Sequence, residues 1–227
     1  DARTLCELCK RYSLTVVCAT PTFARAMLRR ADKDTFKAVN YFIVGAEKLQ
    51  PDLEKEFQER CGVTLLEGYG LTEASPVCAV NMPNAEMIPG SAFYVPGHLP
   101  RTIGIPLPGI AVRITDVDDD TKELPLTEQG MIWFKGANVF SGYIGRPELN
   151  KEIFRDGWFK TGDIGYMDKD GFIFITGRKK RNTAILRSEQ ALKKFNFIGS
   201  SFQRRNFRLA FFLQKEVEII FRLPFRV

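Results

Sequence analysis

The stretch Gly68-Tyr69-Gly70-Leu71-Thr72-Glu73-Ala74-Ser75-Pro76 concentrates side chains with chemical reach. Glycines let a ligand approach the backbone, the Tyr69 ring is a flat surface, the Thr72 hydroxyl can donate to a phosphate oxygen, and Glu73 offers hard oxygens to magnesium. The run Val63-Thr64-Leu65-Leu66 before it reads as a strand, so these residues stand at a strand's carboxyl end, where open α/β sheets bind ligands. The spacing is not a dinucleotide fingerprint. Glu73 occupies the third glycine position of G-x-G-x-x-G, and no G-x-x-x-x-G-K-[ST] phosphate loop occurs. On pattern alone, a strand-ending turn is as good a reading as a nucleotide site. Asp163 and Arg178 stand far from this stretch in the sequence. Taken singly they read as a turn cap and a solvated charge. Glu47 reads equally as a ligand contact or as the start of an amphipathic helix.

The elements that must position these residues follow from periodicity. Val16-Val17-Cys18-Ala19 reads as a buried strand and Pro21 to Arg30 as a helix with proline near its start. Tyr41-Phe42-Ile43-Val44 is an apolar run ended by Gly45, and Pro51 to Arg60 carries Leu53 and Phe57 at helical spacing before Cys61-Gly62. Alternating strands and helices predict an α/β fold, a parallel sheet covered by helices. From Arg101 onward short runs separated by Gly and Pro, at 111–114, 131–135 and 171–175, predict a small β-barrel-like subdomain. The expected organisation is 1–100, an α/β part; 101–177, β-rich; 178–181, hinge-like; and 182–227, a basic tail. Asp116 to Asp120 reads as a solvated turn, because it lacks the glycine and distal glutamate of a calcium loop.

Composition narrows the classes. The chain has 227 residues, 44% hydrophobic and 26% charged, which suits a globular core and excludes collagen, coiled coil and wholesale disorder. Apolar runs fall short of the roughly 20 residues that span a bilayer. The net charge of +6 is uneven: residues 1–177 hold 20 basic and 24 acidic side chains, and 178–227 hold 13 and 3. Such a tail can touch nucleic acid or anionic lipid through charge, yet it carries no ordered nucleic-acid motif. The five cysteines at 6, 9, 18, 61 and 78 lack a secreted disulfide framework, so a reducing compartment is expected. Cys6-x-x-Cys9 has no second pair and reads as thiols rather than zinc ligands. His98, between Gly97 and Pro100, reads as a solvated loop side chain. The start at Asp1 rather than Met suggests a piece of something longer.

Four segments in fixed order change the balance at the glycine loop. Gly45-Ala46-Glu47-Lys48-Leu49, GYGLTEASP at 68–76, Asp156-Gly157-Trp158-Phe159-Lys160-Thr161-Gly162-Asp163, and Asp170-Gly171-Phe172 through Gly177-Arg178-Lys179-Lys180 resemble the AMP-forming acyl-CoA synthetase family. Thr102-Ile103-Gly104-Ile105-Pro106-Leu107-Pro108-Gly109 and Lys135-Gly136 through Gly142-Tyr143 share the likeness, which covers roughly 12–181. The resemblance is greatest to fatty-acyl members, including acyl-acyl-carrier-protein synthetases.

That resemblance implies a ligase using ATP and Mg to activate a fatty or related carboxylic acid as its acyl adenylate. A thiol of CoA or acyl carrier protein then displaces AMP. It implies nucleotide contacts from Gly45, Ala46, Glu47, Tyr69 and Gly70, with Ile175 walling the nucleoside. Thr72 and Arg178 would contact phosphate, Asp163 and Arg178 the ribose, and Glu73 the magnesium; Thr72, Glu73 and Arg178 are the catalytic candidates. Trp158 and Phe159 remain core residues. The expected location is cytoplasmic, with peripheral membrane association open for a longer polypeptide and no nucleic-acid partner.

Two departures bear on turnover. Nothing in 1–51 matches the family's Ser/Thr/Gly-rich phosphate loop. After Lys180 the chain turns to Asn182-Thr183-Ala184-Ile185 and a Phe-, Arg- and Lys-rich run in which the lid's catalytic lysine has no counterpart. The C-terminal lid domain is therefore expected to be missing or divergent, the tail poorly folded, and a frameshifted gene end or a remnant stays open beside a divergent lid. The alternative to a ligase fragment is an inactive remnant or nucleotide-binding module.

Overall fold

The structure is a computed structural model and describes residues 1–86 and 94–179. Lys180, Arg181 and the tail 182–227 lie outside the described residues. Helix α1 (Ala2–Tyr12) starts where the Asp1 carboxylate accepts from Arg3 N and buries Cys6 and Cys9, three residues apart on one face. Strand β1 (Val16–Ala19) leads into α2 (Pro21–Leu28), capped by Thr20, whose Oγ1 accepts from Phe23 N at 3.2 Å, with Pro21 pre-set in the first turn. After β2 (Tyr41–Val44), α3 (Pro51–Cys61) buries Leu53 and Phe57 and stops at Gly62, whose φ of 67° is left-handed. Then follows β3 (Leu65–Gly70).

Strands β1, β2 and β3 pair in parallel, Val16 beside Tyr41 and Phe42 beside Leu65. Their core includes Phe36, Phe42 and Phe57, with ring centroids 4.9–5.4 Å apart. Helices α1, α2 and α3 close over it through Cys9, Met27, Leu28 and Leu53. The Cys6 and Cys9 thiols are buried there, and burial pushes Cys9 up to about 12.

The third strand departs from expectation. It begins at Leu65 rather than Val63 and runs to Gly70, so the first three residues of the glycine stretch are strand, not loop. A short 3₁₀ turn, Thr72–Ala74, reverses the chain into β4 (Val77–Val80), which pairs antiparallel with Gly68, Tyr69 and Gly70. A glycine-bearing segment becomes strand because β4 supplies the ladder. Strands β5 (Ala85–Glu86) and β6 (Tyr94–Val95) form a two-stranded ribbon. Strand β7 (Ile105–Pro106) adds to β4, so the first sheet is parallel over three strands and antiparallel beyond.

The second sheet is a half-barrel of antiparallel strands. It comprises β8 (Ala111–Thr115), β9 (Gly130–Lys135), β10 (Phe154–Arg155), β11 (Trp158–Met167) and β12 (Ile173–Arg178), with helix α4 (Pro147–Ile153) before β10. The β12 strand starts two residues later than expected, because 168–171 is a turn in which Asp168 Oδ1 accepts from Asp170 N and Phe172 N at 3.0 and 2.9 Å. Asp116 likewise holds its turn by accepting from Asp118 N and Asp119 N. Phe159 is fully buried. Trp158 is half-buried, 4.8 Å from the Arg113 guanidinium.

A second core joins the two sheets, with Ala74, Cys78 and Ala79 meeting Ile103, Ile114, Ile132, Phe134 and Ile173. Gly104 crosses this seam at φ 82°, where a Cβ would lie 2.0 Å from Val80 C. Among the described residues no helix is long and apolar enough to cross a membrane. Gly104→Ala is expected to lower unfolding stability by roughly 2–4 kcal/mol. Gly62→Ala, equally left-handed but with nothing within 4 Å of its Cβ, should cost about 1 kcal/mol. Urea midpoints of the two variants check the difference.

Candidate functional site

A cleft of about 450 Å³ opens where the carboxyl ends of β2 and β3 meet β12 and the loop before β7. It falls within the usual range for small-molecule sites. Its walls include Ala46, Glu47, Tyr69, Gly70, Asp163, Ile175 and Arg178, all seven singled out in the sequence. Gly45 sits just behind, where a Cβ would come 3.1 Å from Gly68 O. Thr72 and Glu73 lie outside the lining, on the 3₁₀ turn that follows β3.

Asp163 is the buried centre. Its side chain is 4% exposed, and it sits within strand β11 rather than capping a turn. The Tyr69 hydroxyl donates to Oδ2, Arg178 Nε donates to Oδ1 at 2.5 Å, and Arg178 Nη2 donates to Oδ2 at 3.2 Å. Asp163 and Arg178 are cross-strand partners, so the β11–β12 register creates the pair. The charge-assisted bond raises the Arg178 pKa, while its side chain stays 66% exposed. Burial first, and then the Asp163 charge, pushes Tyr69 well above the usual phenol. The Tyr69 ring stacks on Phe134 at 6.0 Å, which fixes its plane.

In the turn 45–48, Glu47 does not start a helix. Its carboxylate Oε2 accepts from Thr22 N at 3.2 Å and Thr22 Oγ1 at 2.6 Å, fastening the turn to the first turn of α2. Ala46 takes a left-handed φ of 66° beside it. The Glu47 side chain thus holds the turn, which brings Ala46 and Glu47 to the cleft wall.

Glu73 is fixed at the cleft's edge: its Oε1 accepts from the Tyr143 hydroxyl and its backbone O accepts from Phe140 N at 2.8 Å. It is near enough to Arg178 to contribute to that residue's raised pKa. Among the described residues no group of three His, Cys, Asp or Glu side chains is arranged to hold a metal. The donor set fits magnesium shared with a phosphate ligand, because that ion takes one or two carboxylates and completes its shell with phosphate oxygens and water.

Besides Gly68 and Gly177, four further lining residues were not site candidates in the sequence. Lys48 and Ile103 carried no signal beyond their motif neighbours, and Arg101 none at all. Glu67 precedes the glycine stretch. Its Oε1 accepts from Leu49 N at 3.3 Å, and desolvation by burial pushes the carboxyl up to about 7. Beneath it Asn81, 1% exposed, ties the two walls together. Asn81 Nδ2 donates to Glu67 O and Thr102 O at 2.9 and 2.8 Å, and Oδ1 accepts from Leu99 N at 3.0 Å. His98 is half-buried rather than solvated, with Nε2 3.5 Å from Glu54 of α3.

Comparison with known proteins adds an independent observation. The family model described as AMP-binding enzyme matches residues 1–144. A long-chain-fatty-acid–CoA ligase of Yersinia pestis is 34% identical over 172 residues, which are 75% of this chain and 28% of that protein. The crystal structure of apo MatB from Rhodopseudomonas palustris superposes with a TM-score of 0.68 at 37% identity, over 79% of this chain and 34% of that one. Its ATP-bound form gives 0.67 at 36%, over 78% and 33%. The chain spans under a third of the length of the curated relatives it matches.

The raised Glu67 pKa has a signed consequence. Between its ordinary 4.5 and about 7 the folded chain holds a proton that the unfolded chain releases, so this group's contribution is present at low pH and lost as pH rises through that window. The urea midpoint is expected to fall more from pH 5 to pH 8 in the unsubstituted protein than in Glu67→Gln.

Proposed function

Because the chain belongs to the AMP-binding enzyme family, we propose that its cleft holds the adenosine monophosphate moiety of ATP and of an acyl adenylate, within an ATP-dependent acid–thiol ligase. The observation that carries this reading is the convergence of Tyr69, Asp163 and Arg178 with the 45–47 turn on one cleft. The base lies between that turn and Tyr69, against Ile175. A carboxylate has about four lone-pair sites and three are engaged on Asp163, so ribose hydroxyls bind as Arg178, largely exposed, turns toward phosphate.

In the reaction, a carboxylate oxygen of the acid attacks the α-phosphorus and the bond to pyrophosphate breaks. A thiol sulfur then attacks the acyl carbonyl, forms the thioester and releases AMP. Arg178 and Thr72 supply donors where negative charge builds on phosphate, and Glu73, oriented by Tyr143, would hold magnesium. When bound there, magnesium would offset phosphate charge that repels the incoming carboxylate. The acid is a fatty or related one and the thiol that of CoA or acyl carrier protein; likeness to the long-chain-fatty-acid–CoA ligase supports the fatty acid and CoA.

The second reading is nucleotide binding without turnover, motivated by the departure from the family pattern at Asn182. A thioester assay on the protein that binds AMP separates the two. Calorimetry should detect AMP binding, and Asp163→Asn should weaken it roughly 10- to 100-fold; unchanged affinity would remove the ribose role. In the complete parent protein, Glu73→Ala is expected to abolish carboxylate-dependent pyrophosphate exchange, and exchange at the unsubstituted rate would overturn its metal role.

A further inference from the structure

Arg101 lines the cleft on the loop that precedes β7, and its backbone has a φ of 68°. A left-handed conformation costs a side-chain-bearing residue energy that glycine avoids, so the position bears an arginine against the local preference. The loop is not free to relax. Asn81 holds both of its ends, accepting from Leu99 N and donating to Thr102 O, and Thr102 is 1% exposed. Among the described residues the Arg101 guanidinium has neither an ion-pair nor a hydrogen-bond partner, and the residue is exposed. A strained, fixed backbone thus presents an uncommitted cation to a ligand cleft, a combination that points from backbone outlier to function.

Its place in the cleft decides what it meets. Ile103 N donates to Ile173 O and Ile173 N to Gly104 O, both at 3.0 Å, which lays this loop beside the beginning of β12. Arg178, next to Asp163 and within electrostatic reach of Glu73, stands at the other end of that strand. Arg101 thus enters the cleft from a segment bonded to the Ile173 end of β12, the strand that carries Arg178 at its opposite end. Deepening the nucleotide reading, on which it rests, we propose that Arg101 contacts the purine base, its guanidinium stacking on or donating to the ring. A planar guanidinium is suited to both, and the ring nitrogens are acceptors.

The test separates base from phosphate. Binding of AMP and of adenosine is measured by calorimetry for the unsubstituted chain, Arg101→Gly and Arg178→Ala, with thermal unfolding of each. Arg101→Gly is expected to weaken AMP and adenosine by the same factor, about fivefold, without lowering the melting temperature, since glycine suits this backbone. Arg178→Ala should weaken AMP more than adenosine. Unchanged affinities in Arg101→Gly would overturn the inference and leave the nucleotide reading intact. Loss confined to AMP would also overturn it, placing Arg101 on the phosphate. No binding to the unsubstituted chain would overturn both.

Discussion

Burying the Asp163 carboxylate is the constraint around which the site is organised. Removing a carboxylate from water costs several kcal/mol unless donors replace the lost solvent. Here they come from both sheets: the Tyr69 hydroxyl from the end of β3, and the Arg178 fork from β12 across the ladder. The same contacts that satisfy the charge lock the parallel sheet to the half-barrel. The Tyr69 ring on Phe134 is then part of the second core as well as a wall of the cleft. A site made this way fixes its buried carboxylate while leaving the Arg178 side chain largely exposed at the cleft.

The other walls are held by polar contacts between side chains and backbone of separate segments. Glu47 binds Thr22, Asn81 spans Glu67 and the 99–102 loop, and Tyr143 holds Glu73. Each removes freedom from a segment that would otherwise be a turn with several conformations. The left-handed backbones at Ala46 and Arg101 persist because these contacts over-determine them. Turns fixed in this way are shaped before any ligand arrives, which lowers the ordering cost of binding.

Particular elements show how far sequence reasoning reached. Strands 16–19 and 41–44 and helices near 21–30 and 51–60 were readable, because short apolar runs and 3.6-residue spacing report burial locally. The extension of β3 through Gly68-Tyr69-Gly70 was not, for its stability resides in β4, paired to it across a reversal. His98 looked solvated between Gly97 and Pro100, yet it packs beside Glu54 on a helix distant in sequence. Glu67 gave no local sign of its raised pKa, because desolvation is a property of the assembled cleft.

Residue types and spacing established two of the four described helices and about half of the strands, while the resemblance carried by four segments, rather than periodicity, made Tyr69, Asp163 and Arg178 site candidates. Folding in three dimensions decided which of these share one cleft, that Glu47 braces a turn, that Thr72 and Glu73 stand beside the lining, and that Arg101 and Glu67 belong to it. The division has a physical cause. Periodic burial is written within a few residues of chain, whereas strand register, desolvation and the pairing of a buried charge depend on partners as far apart as Tyr69 and Asp163.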